Sequence, residues 1–243
     1  MIVLGVDLET DSVDIDRAAV IEIAAVLYDT VARQPLLVAS SLINVERRLR
    51  PLPRPIVDVT GITEKMLGRY GLLDEAYVRL LCGIRDKIAC HTDVVVTHNG
   101  TVFDLPILEF EFERYKIPDY LHKTKRIDTM TDINYPLSNV YMNLTNLAAN
   151  HRVQHAFCHR ALSDVFAMLQ ILEQYDVDEI LKAALTPIIS LRATPSKKHK
   201  PHVKHYGFSY NYEEKCYIRD IRSYYEEEVI KSIPFDVTII DTE

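Results

Sequence analysis

Hydrophobic and polar positions change period several times along the chain. Residues Ile2 to Glu9 read as a β-branched, apolar strand, and after a short Asp-rich loop a second apolar run extends from Ala18 to Tyr28. A third run, Leu36 to Val45, completes a meander of neighbouring strands. Pro51, Pro53 and Pro55 then break regular structure, and Thr60-Gly61-Ile62-Thr63 leads into a short helix with Thr63 as its N-cap. From Asp74 to Ala89 the apolar positions Ala76, Leu80, Leu81, Ile84 and Ile88 recur at helical spacing, which predicts an amphipathic helix; Val94 to Thr97 predicts a buried strand. Further helices are predicted over Leu105 to Tyr115, Leu144 to Asn150 and Ala161 to Tyr175, with a brief strand ending at Arg126 to Asp128. Three strands followed by helices alternating with short parallel strands predict an α/β fold, a mixed sheet with helices on its faces.

Near Thr186-Pro187 the pattern loses its period. Residues 186–205, rich in Lys, His and Pro toward their end, read as a basic linker between a main domain over 1–185 and a small α+β module over 206–243. Within the module, Tyr206 to Tyr212 and Cys216 to Ile221 predict a hairpin around Glu213-Glu214-Lys215, followed by a helix over Tyr224 to Ser232 and a strand over Phe235 to Ile240.

With 243 residues, 48% of them hydrophobic, the chain can bury a substantial core. The opening residues lack a basic n-region and meet Asp7 and Glu9 early, and no apolar run approaches the ~20 residues of a bilayer span, so a cytoplasmic location and no membrane partner are expected. Cys82, Cys90, Cys158 and Cys216 lie far apart and read as reduced thiols in packed positions. Net charge is −7, which argues against a duplex binder with a global basic excess. The charge is unevenly spread, however. No acidic residue lies between Glu179 and Glu213, where Arg192, Lys197, Lys198, Lys200 and Lys204 stand among His199, His202 and His205. An acidic body with a basic strap suits a protein that gathers metal ions at one place and phosphates at another.

Asp7 and Glu9 sit two apart on a strand, so both carboxylates share one face of the sheet. Two acids in an apolar strand are costly to bury unless something cationic neutralises them, and hard divalent ions do so most simply. Alone, the pair reads equally as one salt-bridged and one solvent-facing acid. Asp104 follows His98-Asn99-Gly100-Thr101-Val102-Phe103 and opens a helix, where a carboxylate is favoured by the helix dipole in any case. His159 precedes a helix start and Asp164 lies five positions later on that helix, so His159 belongs to the incoming loop. Asp128 reads as a strand-end residue or as one that supports the site residues from behind, and His155 as a loop residue.

Together and in this order, Asp7-Leu8-Glu9-Thr10, Asn99 to Asp104, and His159 with Asp164 resemble the motifs of the DEDDh exonucleases, a branch of the ribonuclease H-like fold. Ala161 stands where the sister branch carries a tyrosine, which indicates the histidine variant. Val59 to Thr63, Ile127-Asp128-Thr129 and Asn143-Leu144 are similar to family segments in the same order, and the resemblance covers roughly residues 1 to 180. It implies that Asp7, Glu9, Asp104 and Asp164 hold two divalent ions, Mg2+ or Mn2+, with Glu9 and His159 catalytic. One ion would generate hydroxide and the other stabilise the leaving 3′ oxygen. His159 would be the general base, a role suited to a side chain of unperturbed pKa ~6.5. The implied substrate is the 3′ end of single-stranded nucleic acid, DNA favoured over RNA, released as nucleoside monophosphates. Thr10, His98, Asn99 and Phe103 are candidate substrate contacts, Phe103 either stacking on a terminal base or packing into the core.

One departure stands out: Asp11-Ser12-Val13-Asp14 replaces the threonine and glycine common after the first motif, adding charge that either repels phosphate or collects metal. In the tail, Tyr206, Phe208, Tyr210 and Tyr212 would share a face if they lie on one strand. Flanked by Lys204 and Arg219, such a face either stacks bases at ~1 to 3 kcal/mol each or forms the core of a small sheet, and Lys197, Lys198, Lys200 and Tyr210 are further candidate substrate contacts. Gly207-Phe208-Ser209-Tyr210 with Lys215-Cys216-Tyr217 resembles a small module found behind some bacterial and phage exonucleases. An exoribonuclease with the same site, or a polymerase-associated binding subunit, are the competing readings, since the same residues serve both polymers and only contacts to the 2′-OH discriminate.

Overall fold

Strand β1 (Ile2–Thr10) alternates Leu4, Val6 and Leu8 on one face with Val3, Gly5, Asp7 and Glu9 on the other, and both faces are covered. The computed structural model describes residues 1–136 and 142–240. β1 pairs antiparallel with β2 (Val20–Asp29), which pairs antiparallel with β3 (Gln34–Leu42); on its other side β1 pairs parallel with β4 (Val94–Thr97), and β4 with β5 (Lys125–Asp128). The order β3-β2-β1-β4-β5 is the mixed, helix-flanked α/β sheet of a ribonuclease H-like fold.

Helices α3 (Asp74–His91) and α4 (Asp104–Arg114) bury Tyr77, Leu81, Ile84, Leu105, Leu108 and Phe112 against the face of Leu4, Val6 and Leu8. On the opposite face α5 (Leu144–Asn150), α6 (Ala161–Leu172) and α7 (Val177–Ala184) enclose Val3, Ala24 and Val26. Burial of each such large apolar side chain stabilises the fold by ~1.5 to 3 kcal/mol. None of the described helices is long and apolar enough to cross a membrane.

Thr63 does cap a helix, α2 (Glu64–Tyr70), its hydroxyl accepting from the Met66 amide at 3.3 Å. The proline-rich stretch before it differs from expectation. Helix α1 (Arg54–Thr60) forms there with a proline in its first turn, where the missing N–H would have had no helical acceptor anyway. Asp176, whose side chain accepts from Asp178 and Glu179, caps α7, an element that the expected run of helices omits.

The expected linker over 186–205 also differs. Ile188–Thr194 is strand β6, an inner strand of a second antiparallel sheet, ordered β7 (Ser209–Asn211), β8 (Cys216–Arg222), β6, β9 (Asp236–Ile240). Leu191 and Ala193 supply its core with Phe208, Ile221 and Val229, the last from α8 (Glu226–Ser232). Pro187 and Pro195 bracket this strand, so its ends look like breaks while its interior keeps strand alternation. Residues 200–206 form a 3-10 turn that buries Val203. The last three residues of the module, 241–243, lie outside the described residues. The four cysteines are free thiols, with Cys90 exposed rather than packed.

Candidate active site

Beyond its short pairing with β4, β1 runs on to Thr10, so Asp7 and Glu9 project at the open end of the sheet. What brings a helix carboxylate beside them is Gly5, two residues back on the same face. A Cβ there would lie 2.9 Å from Val165 Cγ1 and 3.2 Å from both Leu169 Cδ1 and Met168 Cε. Only a residue without a side chain lets α6 lie this close to β1, and α6 carries Asp164 in its first turn. Asp104 starts α4, and its Oδ1 accepts from the Leu8 amide at 2.8 Å, which ties the second motif to the first. Asp7, Glu9, Asp104 and Asp164 therefore line one cleft of about 640 Å³, together with His98, Asn99, Phe103 and His159. Met130, Asn143, Leu144, Thr145 and His155 complete its wall.

The four acids are electrostatically strained. Burial, then repulsion from Asp104, Glu9 and Asp164, holds Asp7 well above the usual carboxylate range. Glu9 is pushed up to about 8, by burial and then by Asp164, Glu22 and Asp104, with Arg160 opposing. Asp104 is raised to about 7, mainly by burial, despite the hydrogen bond from Leu8. Burial also raises Asp164, against the pull of His155. The guanidinium of Arg160, which opposes the rise at Glu9, is committed to Glu22 at 2.7 Å. Converging hard oxygen donors fit divalent metal ions, which would neutralise the repulsion. Glu9, His159 and Asp164 each offer a ligand atom within 4.8 Å of the others.

His159 is exposed, on the loop before α6, at φ 58°. That loop is braced by Glu22, which lies directly opposite Glu9 across the β1–β2 ladder and accepts from Arg160 Nε and Nη2 and from the Ala161 amide. Glu22 and Arg160 are absent from the sequence-based candidates. A lone glutamate inside the apolar run of β2 is the sequence signal for Glu22, which is 4% exposed, and nothing local marks Arg160 as its partner.

His155 is more than a loop residue. Its Nε2 lies 2.6 Å from Asp164 Oδ1, and Cys158 Sγ lies 3.5 Å from its Nδ1. Asp128 does both things expected of it: buried at the end of β5, it accepts from the amides of Asn99 (2.7 Å) and Met130 (3.0 Å) on Oδ1 and of Thr101 (3.0 Å) on Oδ2. His98 is anchored by Nδ1, 2.9 Å from Thr129 Oγ1, and burial lowers its pKa, which keeps the ring neutral. Asp11 does not line the cleft. It is 1% exposed and accepts from the amides of Ala19 and Leu49, closing the loop between β1 and β2.

The remaining candidates are scattered. Thr10 is buried with its hydroxyl donating to Ser12 O at 2.6 Å, and it does not line the cleft. Phe103 packs on the core below while also lining the cleft. Lys197, Lys198 and Lys200 are exposed outside the cleft wall. The four tail aromatics do not share one strand face. Gly207, at φ 80°, turns the chain, so that Tyr206 and Phe208 pack on Phe235 while Tyr210 clusters with Tyr212 and Tyr217.

A family model described as Exonuclease, of the RNase T type, matches residues 4–172, a span that includes all four carboxylates and His159. The chain belongs to the exonuclease family. Its motifs place it in the DEDDh 3′-5′ branch. This exonuclease chain is 30% identical over 128 residues to the PolC-type DNA polymerase III of Mycoplasma genitalium, covering 50% of the chain and 8% of that polymerase. Among solved structures it is similar to Escherichia coli exonuclease I in complex with a dT13 oligonucleotide (TM-score 0.60, 16% identity, 80% of this chain, 48% of that one). It is also similar to a moderately thermophilic exonuclease I from Methylocaldum szegediense (TM-score 0.58, 16% identity, 80% and 48%). The chain thus spans about half the length of the exonuclease I structures and a small fraction of the polymerase.

Proposed function

We propose that the protein removes nucleoside monophosphates one at a time from the 3′ end of single-stranded DNA, with two divalent ions, Mg2+ or Mn2+, held by Asp7, Glu9, Asp104 and Asp164. The observation that carries this reading is the convergence of four proton-hungry carboxylates and His159 on one cleft. Divalent ions bound there would supply the positive charge that the phosphate needs and acidify the attacking water. His159, on its braced but exposed loop, takes the proton of that water as its oxygen bonds to phosphorus. The P–O3′ bond breaks on the opposite side, and the leaving oxygen acquires a proton from solvent. Phe103 supports the terminal base from the cleft wall, and His98, held neutral, offers a hydrogen bond without adding charge. The exposed lysines 197, 198 and 200 are proposed as contacts for the backbone of longer strands.

The preference for DNA draws support from the oligonucleotide in the exonuclease I complex and from the polymerase relative. A time course on 5′-labelled DNA and RNA of one sequence, with Mg2+, Mn2+ or EDTA and with Asp7→Ala as the blank, tests it. A metal-dependent ladder on DNA is expected. A ladder on RNA alone would reassign the substrate, and none on either would leave a binding subunit.

A further inference from the structure

We infer that Arg222, on the second sheet, is a positioning residue for the catalytic cleft: through Asp132 it holds Asp128, whose carboxylate fixes the loop carrying Asn99, Phe103 and Asp104. This rests on the proposed metal-dependent reading of that cleft.

Arg222 Nε donates to Asp132 Oδ1 at 2.7 Å, and its Nη1 donates to Thr186 O at 2.8 Å. The other oxygen of Asp132, Oδ2, accepts from the Asp128 amide at 2.7 Å. Asp128 in turn grips the amides of Asn99 and Thr101. Asn99 has φ 60°, a left-handed backbone that a non-glycine residue holds only when its surroundings impose it. Asp104, three residues past Thr101, is thereby set at the end of a chain of hydrogen bonds that begins on the other sheet. Asp128 and Asp132 are each 2% exposed, so neither carboxylate has water to replace a lost partner. Arg222 is the guanidinium paired with Asp132 among the described residues. Without it, Asp132 is a buried charge with no cation, and rotation toward solvent would release the Asp128 amide. Other contacts between the two sheets, such as Asn134 Nδ2 to Glu228 and Tyr225 Oη to Asp132 O, touch no carboxylate in this chain of bonds.

The experiment uses the full chain and four variants, Arg222→Gln, Arg222→Lys, Asp132→Asn and the double variant Arg222→Gln/Asp132→Asn. Ser190→Ala, which removes a hydrogen bond to Asp220 inside the second sheet, is the control for a merely loosened module. Three quantities are read: Mn2+ affinity by electron paramagnetic resonance, amide hydrogen exchange over residues 97–104, and hydrolysis of the p-nitrophenyl ester of thymidine 5′-monophosphate, which occupies only the terminal-nucleotide position. Arg222→Gln and Asp132→Asn should each weaken Mn2+ binding by about tenfold, speed exchange over 97–104 and slow ester hydrolysis in proportion. The double variant should be no worse than either single one, and Arg222→Lys should recover part of the loss. Ser190→Ala should change none of the three. Should Arg222→Gln fail to fold, Arg222→Lys and Asp132→Asn carry the same comparison. Wild-type Mn2+ affinity and unchanged exchange in a folded Arg222→Gln would overturn the inference, as would additive losses in the double variant. Mn2+ binding by the wild type that Asp7→Asn abolishes upholds the proposed site whatever Arg222 does; no Mn2+ binding by any of them overturns both.

Discussion

Each carboxylate in the cleft binds its proton more tightly in the folded chain than in an unfolded one, and that difference is a statement about stability. A raised carboxylate contributes most below its unfolded pKa, and its contribution is lost as pH rises through the folded value. With Glu9 at about 8 and Asp104 at about 7, the metal-free protein should lose stability between roughly pH 4 and 8. We expect its melting temperature in EDTA to fall across that window, and Mn2+ at pH 8 to restore it. Asp7→Asn should flatten the profile, and a flat wild-type profile in EDTA would contradict the electrostatic account. His159 is testable separately. His159→Ala should lower kcat by about 100-fold or more while leaving Mn2+ affinity nearly unchanged, because a general base contributes to the step and not to binding. Parallel loss of Mn2+ binding would make His159 a ligand instead.

At the scale of elements, the closeness of α6 to β1 controls how near Asp164 comes to Asp7 and Glu9. Gly5→Val should push α6 outward, since even a bare Cβ meets Val165 Cγ1 at 2.9 Å. Overpacking of this kind costs ~1 to 3 kcal/mol. We expect a lower melting temperature and a larger fractional loss of turnover than the stability change alone explains, measured well below the melting point. The segment after β6 makes a different contribution. Replacing Lys197, Lys198 and Lys200 with alanine should raise KM for long single strands, and reduce the slope of log KM against log salt by up to about 2, while the p-nitrophenyl ester is hydrolysed as before. An unchanged slope would remove these lysines from the strand path.

In the whole molecule, the module of the second sheet meets the main domain through a contact that includes a partly buried ion pair, Arg222 with Asp132, and a hydrogen bond from Tyr224 to Glu179 of α7. Such coupling predicts one calorimetric unfolding transition for the full chain, separating into two in Arg222→Gln. Two transitions in the wild type would mean that the sheets unfold independently. Much of this architecture is legible in the amino-acid order. Period-two alternation in Ile2 to Glu9 places Asp7 and Glu9 on one face, and the spacing of Asn99 to Asp104 and of His159 to Asp164 carries the family signature. Such features depend on neighbours a few residues apart, which a sequence displays directly. Tertiary structure decided the rest. Asp11 closes a loop, Glu22 braces Arg160, His155 reaches Asp164 and Asp128 grips Asn99 because chain segments distant in sequence meet there. Whether a buried polar atom serves the fold or the cleft depends on the partner it finds after folding, and no local pattern encodes that partner.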